Sequence, residues 1–136
     1  KHQGYNGTTW ISFDNLISEW TQLSSNNNTN SYVSIAQIPL VAYSATLLEY
    51  EIIGKGVTSP TSCVGIWETF KCTFIRSGGT ITQLTPFFGS SSNNFTGSDI
   101  QIIYSPTFSD IILQVRAGTI GQTSTTWTGR YRTVSI

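Results

Sequence analysis

Leu47-Leu48-Glu49-Tyr50-Glu51-Ile52-Ile53 and Asp110-Ile111-Ile112-Leu113-Gln114-Val115-Arg116-Ala117 decide the fold class. In the first stretch Leu48, Tyr50 and Ile52 share one parity, and Glu49 and Glu51 share the other. In the second, Ile111, Leu113, Val115 and Ala117 alternate with Asp110, Gln114 and Arg116. Successive side chains of a strand point to opposite faces, so a period of two marks strands with one face in a core and one in water. Residues 62–76 extend the pattern: Val64, Ile66, Phe70, Cys72 and Phe74 line one side, with Glu68 as the polar intruder. These runs are rich in β-branched and aromatic residues, which suit a pleated, half-buried surface.

Further strands are predicted at 8–13, 31–40, 80–84, 98–104 and 123–136, with a shorter one at 19–23. Between them lie clusters of residues that favour turns: Ser24-Ser25-Asn26-Asn27-Asn28-Thr29-Asn30, Gly54-Lys55-Gly56, Ser77-Gly78-Gly79 and Gly89-Ser90-Ser91-Ser92-Asn93-Asn94. Arg76-Ser77-Gly78-Gly79-Thr80 reads as a hairpin loop. Helical periodicity is lacking apart from a turn expected at 14–20. The expected fold is all-β, an antiparallel two-sheet sandwich of jelly-roll-like type.

The chain has 136 residues, which fits one domain over 1–136. It opens at Lys1 and contains no methionine, so it is expected to be a processed piece of a longer protein. Nothing reads as a signal peptide or a membrane span, and no membrane insertion is expected. Charged residues make up 10% of the sequence, and seven basic residues balance seven acidic ones. Such a surface stays wet through hydroxyls and amides and carries no field that would attract a phosphate backbone, which argues against nucleic acid. Cys63 and Cys72 fall in one predicted strand. Nine residues of strand span about 30 Å, far beyond the reach of a disulfide, and the odd separation sends the two to opposite faces. Free thiols are expected, as in a reducing compartment.

Catalytic constellations are hard to build from these residues. The single histidine, His2, sits at the amino terminus, where no scaffold holds it against a nucleophile. No His/Cys/Asp/Glu cluster has metal-ligand spacing, and no cofactor is expected. Glu49 and Glu51 share a face, as a glycosidase pair would need, but the solvent face of a half-buried strand explains both. Glu68 calls for a partner, Arg130 or Arg132 or a neighbouring subunit, if it is buried. Trp10, Trp20, Trp67 and Trp127 supply candidate sugar platforms, as do Phe87, Phe88 and Phe95. Trp127 is expected to be buried, with Gly129 giving it room. The sequons at Asn6, Asn27 and Asn94 are frequent by chance in so Asn- and Thr-rich a chain.

The stretch Ile111-Ile112-Leu113-Gln114-Val115-Arg116-Ala117-Gly118-Thr119-Ile120-Gly121, followed by Thr125-Thr126-Trp127-Thr128-Gly129-Arg130-Tyr131-Arg132-Thr133-Val134, resembles the carboxyl-terminal strands of fibre and tail-fibre proteins of bacteriophages and large DNA viruses. The central strands, with Trp67 and the Arg76–Gly79 turn, are similar to the same group's middle strands. The similarity covers residues 44–84 and 109–136, and Gly129 matches the small residue that the pattern places two after its tryptophan. The resemblance implies a homotrimeric head at the end of a fibre, folded in the host cytoplasm, displayed on the virion surface and binding a host-surface receptor, with a glycan among the candidate receptors. The exposed apolar residues Ile103 and Ile112 would then pack on neighbouring subunits. Two rival readings are a structural capsid or decoration protein without a receptor, and a carbohydrate-binding module or depolymerase fragment. Receptor contacts are expected in the polar loops 24–30 and 89–94 and the rings beside them: Asn26, Asn27, Asn28, Phe87, Phe88, Ser91, Asn93, Asn94 and Phe95.

Overall fold

The computed structural model describes residues 3–5 and 10–12 as backbone, and residues 19–119 and 121–136 in full. The described residues form eleven strands and no helix. They are β1 Gln3–Tyr5, β2 Trp10–Ser12, β3 Thr21–Ser25, β4 Val33–Pro39, β5 Ser44–Ser59, β6 Ser62–Ser77, β7 Thr80–Gln83, β8 Phe88–Asn93, β9 Asp99–Tyr104, β10 Asp110–Arg116 and β11 Ser124–Ser135. One sheet runs β3-β11-β5-β6-β7, with β8 also pairing with β6; the second runs β4-β10-β9; β1 and β2 pair with each other. Every pairing is antiparallel. The two-sheet antiparallel sandwich is the one expected. The expected turn at 14–20 and His2 lie largely or wholly outside the described residues.

Strand parity decides what is buried. On β5 the even positions Leu48, Tyr50 and Ile52 point inward, and on β10 Ile111, Leu113 and Val115 do the same. Together with Phe74, Trp127, Ile100 and Ile38 they form one core between the sheets. Phe74 of the larger sheet meets Tyr104 of the smaller edge-on, with ring centroids 6.3 Å apart. Cys63 is exposed and Cys72 buried, both free, as the odd spacing on β6 requires.

Two glycine-rich segments behave differently from expectation. Gly54-Lys55-Gly56 is not a turn: β5 runs straight through it to Ser59. Both glycines face inward. A Cβ on Gly54 would lie 2.5 Å from the Trp127 ring, and one on Gly56 would lie 2.7 Å from the Phe95 ring. These glycines exist to let two large rings approach the sheet, which is what glycine inside a strand often marks. Trp127 is therefore 1% exposed, as expected, but its room comes from Gly54. Gly129 serves a different contact: a side chain there would drive into the Glu51 carbonyl and the Ile52 backbone on the neighbouring strand. By contrast Gly78-Gly79 is the predicted hairpin turn between β6 and β7, with Gly78 at a φ of 62°. That left-handed backbone is readily available to glycine.

The second difference is β8. Gly89-Ser90-Ser91-Ser92-Asn93 reads as a loop because serine, glycine and asparagine are poor strand formers. It is nonetheless a strand, held by pairing with Ile66–Lys71 of β6, and β7 occupies the same side of β6 further along. All six residues of β8 are exposed, so backbone pairing rather than burial holds it.

Replacing Trp127 with Ala removes the largest fully buried side chain and should cost about 3–5 kcal/mol of unfolding free energy. Denaturant titration of the variant measures this, and an unchanged midpoint would contradict the placement of β11.

Candidate functional site

Of the two polar segments expected to contact a receptor, 24–30 leaves β3 as a loop, whereas 89–94 is mostly strand β8 and does not form an end loop. Residues 26–31 and 94–98 pack on either side of the chain leaving β10. Ala117 donates its N–H to the Thr29 carbonyl, and Thr119 donates to Thr96, each at 3.0 Å. What they do there is largely structural. Asn27 is buried; its Nδ2 donates to the Val115 carbonyl at 3.4 Å, and its Oδ1 accepts from the Thr29 amide and hydroxyl at 3.0 and 2.7 Å. Its own carbonyl accepts from Trp127 Nε1 at 3.4 Å. Asn28 bridges the Gln122 carbonyl and the Thr125 hydroxyl, while Asn26 is exposed. Asn94 Oδ1 accepts from the Gly65 amide at 2.8 Å. Phe95, expected near the surface, is fully buried over Gly56. A segment rich in amides is well suited to such a cap, because it satisfies backbone groups that strand ends leave unpaired. No buried side-chain polar atom among the described residues lacks a partner.

The outward face of the larger sheet carries the charges. Arg130 lies opposite Glu51 and Arg132 opposite Glu49 across β11 and β5. Their ion pairs measure 2.5 and 3.3 Å, and both guanidinium groups stack on Trp20, 4.1 and 4.5 Å from its centroid. Glu49 and Glu51 are thus each committed to an arginine and lie on the surface face, as expected. Beside them Ile53 and Trp67, cross-strand partners on β5 and β6, are 53% and 41% exposed. Two shallow depressions of about 310 and 300 Å³ adjoin on this face, sharing Glu51 and Thr69.

A third concavity, of about 400 Å³, lies where the sandwich is open, between β8 with β6 on one side and β9 on the other. Glu68 points into it from the inward face of β6 and is half-buried. Its partner is neither Arg130 nor Arg132, which parity puts on the opposite face; the Tyr50 hydroxyl donates to Glu68 Oε2. Burial pushes the Glu68 carboxyl above its ordinary 4.5; the Tyr50 hydrogen bond opposes the rise, and the Asp99 carboxylate adds to it. Burial, then Glu68, raises the Tyr50 hydroxyl as well. Tyr50 stacks on Phe70 at 5.2 Å, and Phe70 meets Phe87 at 5.4 Å, so rings lead from the core to the surface. Of the residues expected to touch a receptor, Phe87 and Ser91 line this cleft. Phe88 begins β8 on the outer face, 75% exposed, and Asn93 ends it opposite Ile66. The alternation singled out Glu68 as a polar intruder, but Gln83, Gln101 and Phe70 gave no signal, because a cleft between sheets depends on which strands are edges.

No protein-family model matches the sequence, and no curated protein matches it. Two solved structures to which the chain is similar are phage tailspike proteins. One is from Acinetobacter baumannii phage AM24, at 13% identity and a TM-score of 0.40 over 85% of this chain. The other is from Acinetobacter phage vB_ApiP_P1, at 12% identity and a TM-score of 0.47 over 100% of this chain. The chain spans 26% and 24% of their respective lengths.

Because the folded state holds the Glu68 proton more tightly than the unfolded chain does, the stability this group contributes is present below 4.5 and lost as pH rises through its raised value. Glu68→Gln keeps an oxygen to accept from Tyr50 and removes the ionisation. It should raise Tm at pH 7 and change it little at pH 4. A Tm lowered equally at both values would contradict the assignment.

Proposed function

We propose that this chain is the head of a virion fibre, a homotrimer that attaches to a host-surface receptor and does not turn it over. The observation that carries the reading is the outward pair Ile53 and Trp67, large apolar side chains facing each other on a strand surface that a sandwich this small has no need to make apolar. The smaller sheet repeats the arrangement with Ile103 and Ile112, paired across β9 and β10 on its outer face, Ile103 exposed and Ile112 half-buried. Outward apolar pairs of this kind suit packing against other copies of the same chain. The formal net charge of zero leaves no overall repulsion between copies.

Attachment without turnover is supported by how the carboxylates are used. Glu49 and Glu51 are held by arginines, and Glu68 by Tyr50, so these three described glutamates form no free pair flanking a space for substrate. Among the described residues no group of His, Cys, Asp and Glu is placed to hold a metal ion. Display on a virion after folding in a host cytoplasm agrees with the free thiols of Cys63 and Cys72. A structural decoration protein without a receptor is the second reading, and one observation favours it: Asn27, Asn28 and Asn94 spend their amides on the cap.

Analytical ultracentrifugation at micromolar concentration should report three times 14.9 kDa. Ile53→Glu combined with Trp67→Ser should sediment as a folded monomer. A wild-type monomer would remove the main support for the fibre head, whereas a trimer that fails to bind susceptible host cells would favour the decoration protein.

A further inference from the structure

We infer that the cleft between β8 and β9 is a binding site for an uncharged sugar ring; the inference rests on the attachment reading above and supplies the chemistry of its receptor. The cleft has two unlike walls. On one, Phe70 and Phe87 continue the stack that begins at Tyr50, and Phe87 is 46% exposed at its outer end. On the other, β9 contributes Ile100 and Ile102, and around the mouth the Gln83 amide and the Ser91 hydroxyl of the larger sheet supply donors and acceptors. A pyranose has the matching form, with C–H groups on its faces and hydroxyls around its rim. The volume of about 400 Å³ lies within the range of small-ligand sites.

Charge narrows the ligand class. Among the described residues, Glu68 and Tyr50 are the titratable groups lining the cleft, and no lysine, arginine or histidine does so. Asp99, near enough to act on Glu68, adds negative field. A sugar bearing a carboxylate, phosphate or sulfate would meet like charge and find no cation to pair with. A neutral ring would instead use Glu68 as an acceptor. An ionised carboxylate offers about four lone-pair sites, and Tyr50 takes one, which leaves capacity for two adjacent ligand hydroxyls.

The test uses the full chain on a glycan array carrying neutral, N-acetylated, sialylated, uronate-containing and sulfated structures, followed by titration calorimetry with the strongest soluble binder. Glycans with neutral terminal or internal rings should be retained and the anionic ones not. Phe87→Ala should weaken binding about tenfold, the scale of one lost aromatic contact. Glu68→Gln should weaken it several-fold although its Tm at pH 7 is raised. Phe88→Ala, outside the cleft on the other face of the sheet, should leave affinity unchanged. Retention of anionic glycans alone, no retention on the whole array, or affinity indifferent to Phe87→Ala would each overturn the inference. Binding to host cells, measured in parallel, separates the two readings: cells bound equally by wild type and Phe87→Ala leave the attachment reading standing and the cleft wrong, while cells bound by neither sink both.

Discussion

Two aromatic rings seated on two glycines hold this sandwich together at one end. Trp127 rests over Gly54 and Phe95 over Gly56, consecutive inward positions of β5, and each ring lies closer to the strand than any side chain there would permit. Phe95 also crowds Gly118 beyond β10, so it joins the β8–β9 connection, the larger sheet and the chain leaving the smaller one. Trp127 adds a polar anchor through its Nε1 to Asn27, which in turn holds Val115 and Thr29. Burial of rings this large dominates the local energetics, and the amide-rich cap forms around them.

That construction bears on where recognition can take place. Polar loops at the end of a sandwich are the usual place to look for a binding surface, but here Asn27, Asn28 and Asn94 are used to pair backbone groups and neighbouring side chains. The open side of the sandwich is different. There β8 is held by backbone pairing alone, β9 is an edge, and the gap between them is lined by Tyr50, Glu68 and the ring stack. A half-buried carboxyl hydrogen-bonded to a single phenol costs stability when ionised, and such groups persist where they serve something other than packing.

Much of this was legible in the sequence, and what was not has physical causes. The strands β5, β6, β10 and β11 follow from alternation because each has one wet face and one dry face. Free cysteines follow from strand length and parity alone. Gly54 and Gly56 were illegible because a glycine that turns a chain and a glycine that admits a ring look identical until the ring's register is known, and Trp127 is distant in sequence. β8 has the composition of a loop and becomes a strand only because β6 presents a free edge beside it. Glu68 stands out as a polar residue on an apolar face, yet the two arginines the sequence offers as partners are those that register places opposite Glu49 and Glu51. Parity identifies a face; only strand pairing identifies the neighbour.

The most direct measurement of the ring-and-glycine account is the unfolding free energy of Gly54→Ala. Glycine inside a strand ordinarily costs about 0.5–1 kcal/mol relative to alanine, so if Gly54 were a tolerated turn residue or a vacant strand position, the substitution would stabilise the protein. With the Trp127 ring 2.5 Å from where the methyl group must sit, the account predicts the opposite sign: a protein destabilised by about 1–3 kcal/mol, as for an overpacked core, with altered tryptophan fluorescence. A Gly54→Ala protein as stable as the wild type, or more so, would contradict it.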